Sequence, residues 1–452
     1  MRRLRVAVRR EDGVAMVLVV ALYAMLVLLA VTLIATVLAE GTRSATAVRR
    51  DAAFQAAEAG IDDYTAKLVD DHGYYAHYVH PGESTREAAG GAVVAAGEAW
   101  NGELTWTYPN GEDTWRQLSN GYEYNLQVWA PTESSPTVKI VATGRKQGST
   151  TDYRVVETLI RPSSVADFQR IVNGNVSWGS GASTYGRIYS AGNVTHNGTA
   201  YGNIYAEGSI TGSVVMMDGA QKYDSATIRT VIENPINYSS FLTSLVDIQR
   251  AAAISGVGLY LDDAAASAWR LTFNSDGTIT VQQCGGSSVD TTQPTCPRSG
   301  TTTQTYAVPS NGAVYVAQTA IVSGQVHGRV TVASNDNIVI ADNITYVTSG
   351  SDVLGLDAKN NVITAAWGPV DLTWRGAVIA QTGTWRGAGS TADHDTMTFS
   401  GAAVTQDGGA FSGMYETRNY SYDETLLYVQ PPWFPTVEDA YTVVLFRELP
   451  AQ

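Results

Sequence analysis

From Val14 to Ala39 the chain runs for 26 residues without a charged side chain, and this stretch limits every architecture that can follow it. A secretory signal needs an apolar core of only about 7 to 15 residues, so the run is too long for a simple one. As a helix rising 1.5 Å per residue it reaches roughly 39 Å, more than the roughly 30 Å of hydrocarbon in a bilayer. Arg2, Arg3, Arg5, Arg9 and Arg10 precede it, and positive charge so placed stays on the cytoplasmic side. The expected topology is a single pass through the cytoplasmic membrane, with the amino terminus inside and the body exported. Val37-Leu38-Ala39 also has the small-residue look of a signal cleavage site, which would instead release the body from Glu40.

The helix is expected to outlast the membrane. Through "EGTRSATAVRRDAAFQAAEAGIDDYTAKL", apolar residues recur at Ala45, Val48, Ala52, Ala56 and Ala59, a spacing of three and four that lines one helix face. Gly41 and Gly60 each weaken it by about 1 kcal/mol relative to alanine, but alanine and long charged side chains dominate the rest. One helix from Val14 to about Leu68 is predicted, transmembrane to about residue 39 and amphipathic beyond, within a segment 14–70.

Beyond that helix the composition is that of β structure with many turns. Of 452 residues only 16% are charged, and 43 are glycine. Between residues 71 and 165, "GYEYNLQVWA", "TVKIVATGR" and "DYRVVETLIR" read as a three-stranded antiparallel meander. Such a sheet would cover the helix's amphipathic half. Then "IVNGNV" at Ile171, "IYSAGNV" at Ile188 and "IYAEGSI" at Ile204 recur at intervals of 17 and 16. Short strands repeating with glycine turns suggest the coils of a parallel β-solenoid, in which stacked coils share one core. The pattern resumes from Gly312 to Tyr346, and "GAVIAQTGTW" at Gly376 and "GAAVTQDGGAF" at Gly401 repeat each other 25 residues apart. A β-sandwich with chance similarity is the alternative.

The solenoid is placed at 166–435, interrupted by a module at 213–310, with a C-terminal strand at 436–452. In the module, Phe241, Leu245, Ile248 and Ala252 share a helix side that closes at Gly256. "WRLTFNSDGTITVQQ" reads as a hairpin turning at residues 274–277. The fold class is thus α+β at the amino terminus, followed by a mainly-β parallel solenoid with an inserted helix and hairpin.

Two stretches carry resemblances. The basic leader 1–13, Gly13 as the last residue before the apolar run, and "AFQAAEAGID" at Ala53–Asp62 together resemble the bacterial type IV pilin-like proteins of the PilX-type minor pilin group. The resemblance implies cleavage by a prepilin peptidase between Gly13 and Val14, followed by helix packing with other pilin subunits under the pilus assembly machinery. In that family the first mature residue is usually Phe, here Val14, and the fifth usually Glu, here Leu18. Related subunits that lack the glutamate are thought to sit at filament tips. From about Ser164 to Glu448, "NDNIVIADNITY", "DVLGLDAKNNVI" and "YDETLLYVQPPWFP" resemble large solenoid-bearing pilus-assembly proteins. Together these imply a minor or tip subunit presenting a solenoid for adhesion, assembly initiation or ligand binding. The alternatives are a permanently anchored surface adhesin or, as some solenoid-bearing proteins in this resemblance imply, a DNA-binding pilus tip protein for natural transformation.

Candidate chemistry is sparse. The two cysteines, Cys284 and Cys296, flank a polar, turn-rich loop, the pattern of a disulfide in an exported chain. Two thiolates make a poor metal site, and neither a metal nor a cofactor is expected. His72, His77 and His80 read as an aromatic-rich connecting segment, and Asp393, His394 and Asp395 as a loop. Asp336, Asp342 and Asp357 lie on presumed coils, where a convergent pair would make a polysaccharide-active enzyme. No pairing is legible, and no catalytic residue is assigned. Trp374 and Trp385 are candidate platforms for a surface glycan or protein ligand. Arg329, Arg375 and Arg386 would form a patch if their coils align. DNA is disfavoured, because residues 166–435 carry 12 basic and 21 acidic side chains, net −9. The whole chain is −14, and −17 without residues 1–13.

Overall fold

The computed structural model describes residues 12–70, 104–105, 115–129, 131, 136–232, 235–238, 240–285, 303–390, 393–408 and 414–450. One helix, α1, runs unbroken over Asp12–Asp70. Its first half stands free of the body, with Leu18 63% and Leu38 65% exposed. Its second half packs against one face of an antiparallel sheet. The strands β1 (Tyr122–Trp129), β2 (Val138–Lys146) and β3 (Tyr153–Ser164) form the expected meander. The C-terminal strand Thr436–Leu449 returns to pair antiparallel with β3.

Which helix stripe the sheet covers differs from the alanine reading. Ala53, Ala56, Ala57, Ile61, Tyr64 and Leu68 are buried, whereas Val48 is 66% exposed. Alanine methyls are too small to orient a helix; the larger Ile61, Tyr64 and Leu68 decide its rotation by packing on Tyr124, Leu126, Ile140 and Ile160. Contact is close enough to demand glycine. A Cβ at Gly144 would lie 2.0 Å from the Ala53 carbonyl oxygen and 2.5 Å from the Ala57 nitrogen.

From the end of β3 the chain enters the solenoid at a buried joint. Arg161 makes a two-pronged contact with Asp167, Nη2 to Oδ1 at 2.5 Å and Nη1 to Oδ2 at 3.1 Å, with both side chains 1% exposed. The guanidinium also donates to the carbonyls of Pro162 and Leu427. Asp167 accepts further bonds from the Ser164 backbone N–H and Gln430 Nε2. Strand entry, first coil and returning chain are thereby tied together.

The coils are parallel, but not stacked in chain order. Strands β4 (Arg170–Val172), β5 (Val176–Trp178) and β6 (Ser183–Thr184) make the first coil, and Ile188–Ser190, Ile204–Ala206 and Lys222–Tyr223 continue the ladder away from β4. The chain then runs back outside the stack to its opposite end. Along the way Ile236 donates to Tyr189, Phe241 accepts from Gln381, and Ala251 accepts from Asn311. Helix α2 (Ser240–Ala252) carries most of that return, burying Phe241, Leu245, Ile248 and Ala252 as the spacing predicts. From Leu259 the coils proceed forward again, through Ala313–Val316, Arg329–Ser334, Val353–Ala358 and Asp371–Ala380, to β7 (Thr396–Thr405). There Ala403, Val404 and Thr405 pair with Arg170, Ile171 and Val172. The second block therefore stacks beneath the first, completing one solenoid.

This corrects the inserted module at 213–310. Residues 215–223 still belong to first-block coils, the described residues of 224–258 form the crossover, and Ala268–Asn274 pairs in parallel with Thr319–Val326 as part of the end coil. The predicted hairpin is present, with Gly277 at φ +81° in its turn. Turn asparagines hold neighbouring coils in register: Asn193 N–H donates to Asn175 Oδ1, Ser209 N–H to Asn193 Oδ1, and Asn361 N–H to Asn337 Oδ1.

Candidate functional site

Gly13 and Val14 lie in the first turn of α1. From Leu18 onward the described helix is apolar and long enough to cross a membrane. Its apolar side chains are exposed, the pattern of a segment that lies in lipid or packs on other helices.

A cleft lies elsewhere, at the seam between the two solenoid blocks. Strand β8 (Thr417–Ser421) pairs with the first half of β7, while β4 pairs with its second half, so β8 and β4 complete one coil from distant segments. Met397 opposes Arg418 and Phe399 opposes Tyr420. Met397 and Phe399 belong to the buried core, so Arg418 and Tyr420 also project inward. On the same level Arg170 opposes Ala403, again an inward position. The result is a cleft of about 520 Å³ lined by Gln169, Arg170, Trp178, Ser183, Thr184, Glu416, Arg418 and Tyr420, among others.

Its electrostatics follow from burial. Arg170 is 2% exposed and donates through Nη2 to Thr405 Oγ1 at 2.9 Å. Desolvation lowers its pKa to about 9, opposed by Tyr420 and Tyr238, which leaves it a cation at neutral pH. Burial raises the Tyr420 phenol well above its usual range, so it stays protonated. Trp178 stacks on His196 with centroids 5.3 Å apart. Burial lowers the His196 pKa to about 4. Since Gly198 N–H donates to its Nδ1, the neutral ring carries its proton on Nε2 and donates to Thr184. Tyr420 and the ring behind Trp178 are thus neutral, and Arg170 and Arg418 are the cations that line the cleft.

The residues singled out from sequence are placed differently. Trp374 is 0% and Trp385 1% exposed, packed together at 4.9 Å and against Phe399. They are core, which removes them as surface platforms. The three arginines do not make one patch. Arg375 is engaged by Asp423 at 2.8 Å and lies over the Tyr346 ring. Arg329 begins a strand of the same ladder, two strands away, with a pKa lowered by burial. Arg386 is exposed on a different ladder, opposite Ile363. Asp336 accepts from Thr319 and Asn360, Asp342 sits at an exposed corner, and Asp357 is buried under α2. His394 is buried against Tyr415 and bonded to the Ser390 carbonyl. Among the described residues no group of three or more His, Cys, Asp or Glu is placed to hold a metal. Cys284 is 1% exposed at the end of its strand and not free. Cys296 lies outside the described residues, as do His72, His77 and His80.

Arg170 and Arg418 were not among the sequence candidates, yet one signal was present. The repeat pattern in the sequence aligns Ile171 with Ile188. The ladder instead aligns Arg170 with Ile188, and Ile188 with Ile204. In that register an arginine occupies an inward position that the next coils fill with isoleucine.

No protein-family model matches the chain, and no curated protein matches it. Among solved structures, the competence-associated pilin ComZ from Thermus thermophilus is similar over 89% of this chain and 97% of its own, at 13% identity and a TM-score of 0.34. An ice binding protein from an Antarctic biological consortium aligns over 58% of this chain and 90% of its own, at 10% identity and a TM-score of 0.22.

Proposed function

We propose that this chain is a minor subunit of a type IV pilus or related filament. It is held in the cytoplasmic membrane by α1, cut between Gly13 and Val14, and then assembled through the same helix with its solenoid facing outward. The observation that carries this reading is the division of α1, whose first half is apolar and exposed and whose second half is locked to an antiparallel sheet. A helix built this way moves from lipid into a bundle of like helices without changing its own fold. Leu18, where a charge-pairing glutamate is usual among such subunits, favours a tip or initiating position. The solenoid is then the part that meets a partner, and we read it as a binding body and not a catalytic one.

Mass spectrometry of the protein from its native membrane tests the reading. The expected amino terminus is Val14, lost in a Gly13→Glu variant. An intact leader would make the chain a permanently anchored surface protein, and a terminus at Glu40 a secreted solenoid.

A further inference from the structure

We propose that the seam cleft binds a carboxylate-bearing saccharide, with Arg170 and Arg418 holding the acid group and Trp178 and Tyr420 flanking the sugar ring. Four observations lead there. The cleft is about 520 Å³, inside the range of roughly 300 to 1,000 Å³ typical of small-ligand sites. Two arginines from separate strands line it, Arg170 buried and Arg418 exposed. Planar guanidinium forks match a carboxylate in geometry as well as charge. The same cleft is lined by aromatic side chains and by Ser183 and Thr184, an amphipathic lining that suits a ring with apolar faces and hydroxylated edges.

The surroundings select against a long polyanion. Residues 166–435 carry net −9, and Glu416 stands at the mouth beside Arg418. A nucleic acid would need a cationic track continuing beyond the cleft, whereas a single carboxylate needs only the two arginines inside it. Glu416 is also a ready acceptor for sugar hydroxyls. The site exists only because the solenoid is assembled out of chain order, since its walls come from β4 to β6 on one side and β7 and β8 on the other. The proposal does not depend on processing at Gly13, because the uncut chain carries the same cleft.

The test uses the full chain in detergent and isothermal titration with trimers of galacturonate, glucuronate and mannuronate, each beside its methyl ester. At least one acid trimer is expected to bind, its ester at least tenfold more weakly. Arg418→Gln, at an exposed position that leaves the fold intact by circular dichroism, is expected to weaken binding at least tenfold, and Arg418→Lys less. The proposal is overturned if no trimer binds, if acid and ester bind equally, or if Arg418→Gln changes nothing. It is equally overturned if inorganic phosphate or a thymidine oligonucleotide binds the cleft as tightly as the best trimer.

Discussion

Replacing Arg161 by methionine should loosen the joint between sheet and solenoid far more than removing both partners of its ion pair. Arg161 and Asp167 are each 1% exposed. The substitution would leave a buried carboxylate with only the Ser164 N–H and the Gln430 amide as donors. Breaking a buried pair from one side costs about 3–5 kcal/mol. At roughly 1.4 kcal/mol per tenfold, local opening becomes more frequent by about two to three and a half orders of magnitude. Replacing both partners by apolar residues of similar size is about neutral in comparable cases, so Arg161→Met/Asp167→Leu should recover most of the loss. Native-state hydrogen exchange by mass spectrometry reads this locally, which suits a chain of several structural parts better than a global melt. The informative peptides cover the end of β3 and residues 424–430. Less than a tenfold acceleration in Arg161→Met would refute the assignment of the joint to this pair. A double variant as loose as the two single losses added together would refute the coupling.

Two other perturbations probe other links. Gly144→Ala should cost about 1–3 kcal/mol or more, because its Cβ would meet helix backbone at 2.0 Å; faster proteolysis of α1's second half reports the undocking, and unchanged cleavage would contradict the close approach. Asp357, buried and bonded to Gln381 and Ser244, has a pKa raised from 3.8 to about 7 by desolvation. The folded state therefore holds this proton more tightly than the unfolded chain does. Its contribution to stability is fully present below about pH 4 and is lost as pH rises through 7. Protection of α2, corrected for intrinsic exchange, should fall across that window in the native chain and stay flat in Asp357→Asn; a parallel fall in both would remove Asp357 as its cause.

Much of this architecture was readable from residue order because it rests on local chemistry. The uncharged run sets α1, the alternating strands set the meander, and the Gly376 and Gly401 repeats face each other in the ladder as their 25-residue spacing implies. What escaped was relational. Short alanines left the helix rotation undefined, and a one-residue offset in the repeats hid Arg170 among isoleucines. The pairing of Ala403 with Arg170 joins residues more than two hundred positions apart, and no periodicity reports a ladder closed at such a distance. The seam cleft inherits that difficulty, since each wall alone reads as ordinary coil. Trp374 and Trp385 show the converse error, in which large aromatic residues suggested a surface but fill the interior.

Entry and exit side by side also determine how the molecule would carry load. The solenoid is reached only through β3 and the C-terminal strand, adjacent antiparallel neighbours in one sheet, and it is entered at its middle coil. Tension applied along α1 would therefore fall on the paired strands and on the Arg161 clasp, where many bonds share it. The terminal coils, at Tyr223 and Leu259, would stay slack. A conventional solenoid tethered at one end can be unwound coil by coil from that tether, whereas this one would have to give way at its waist first.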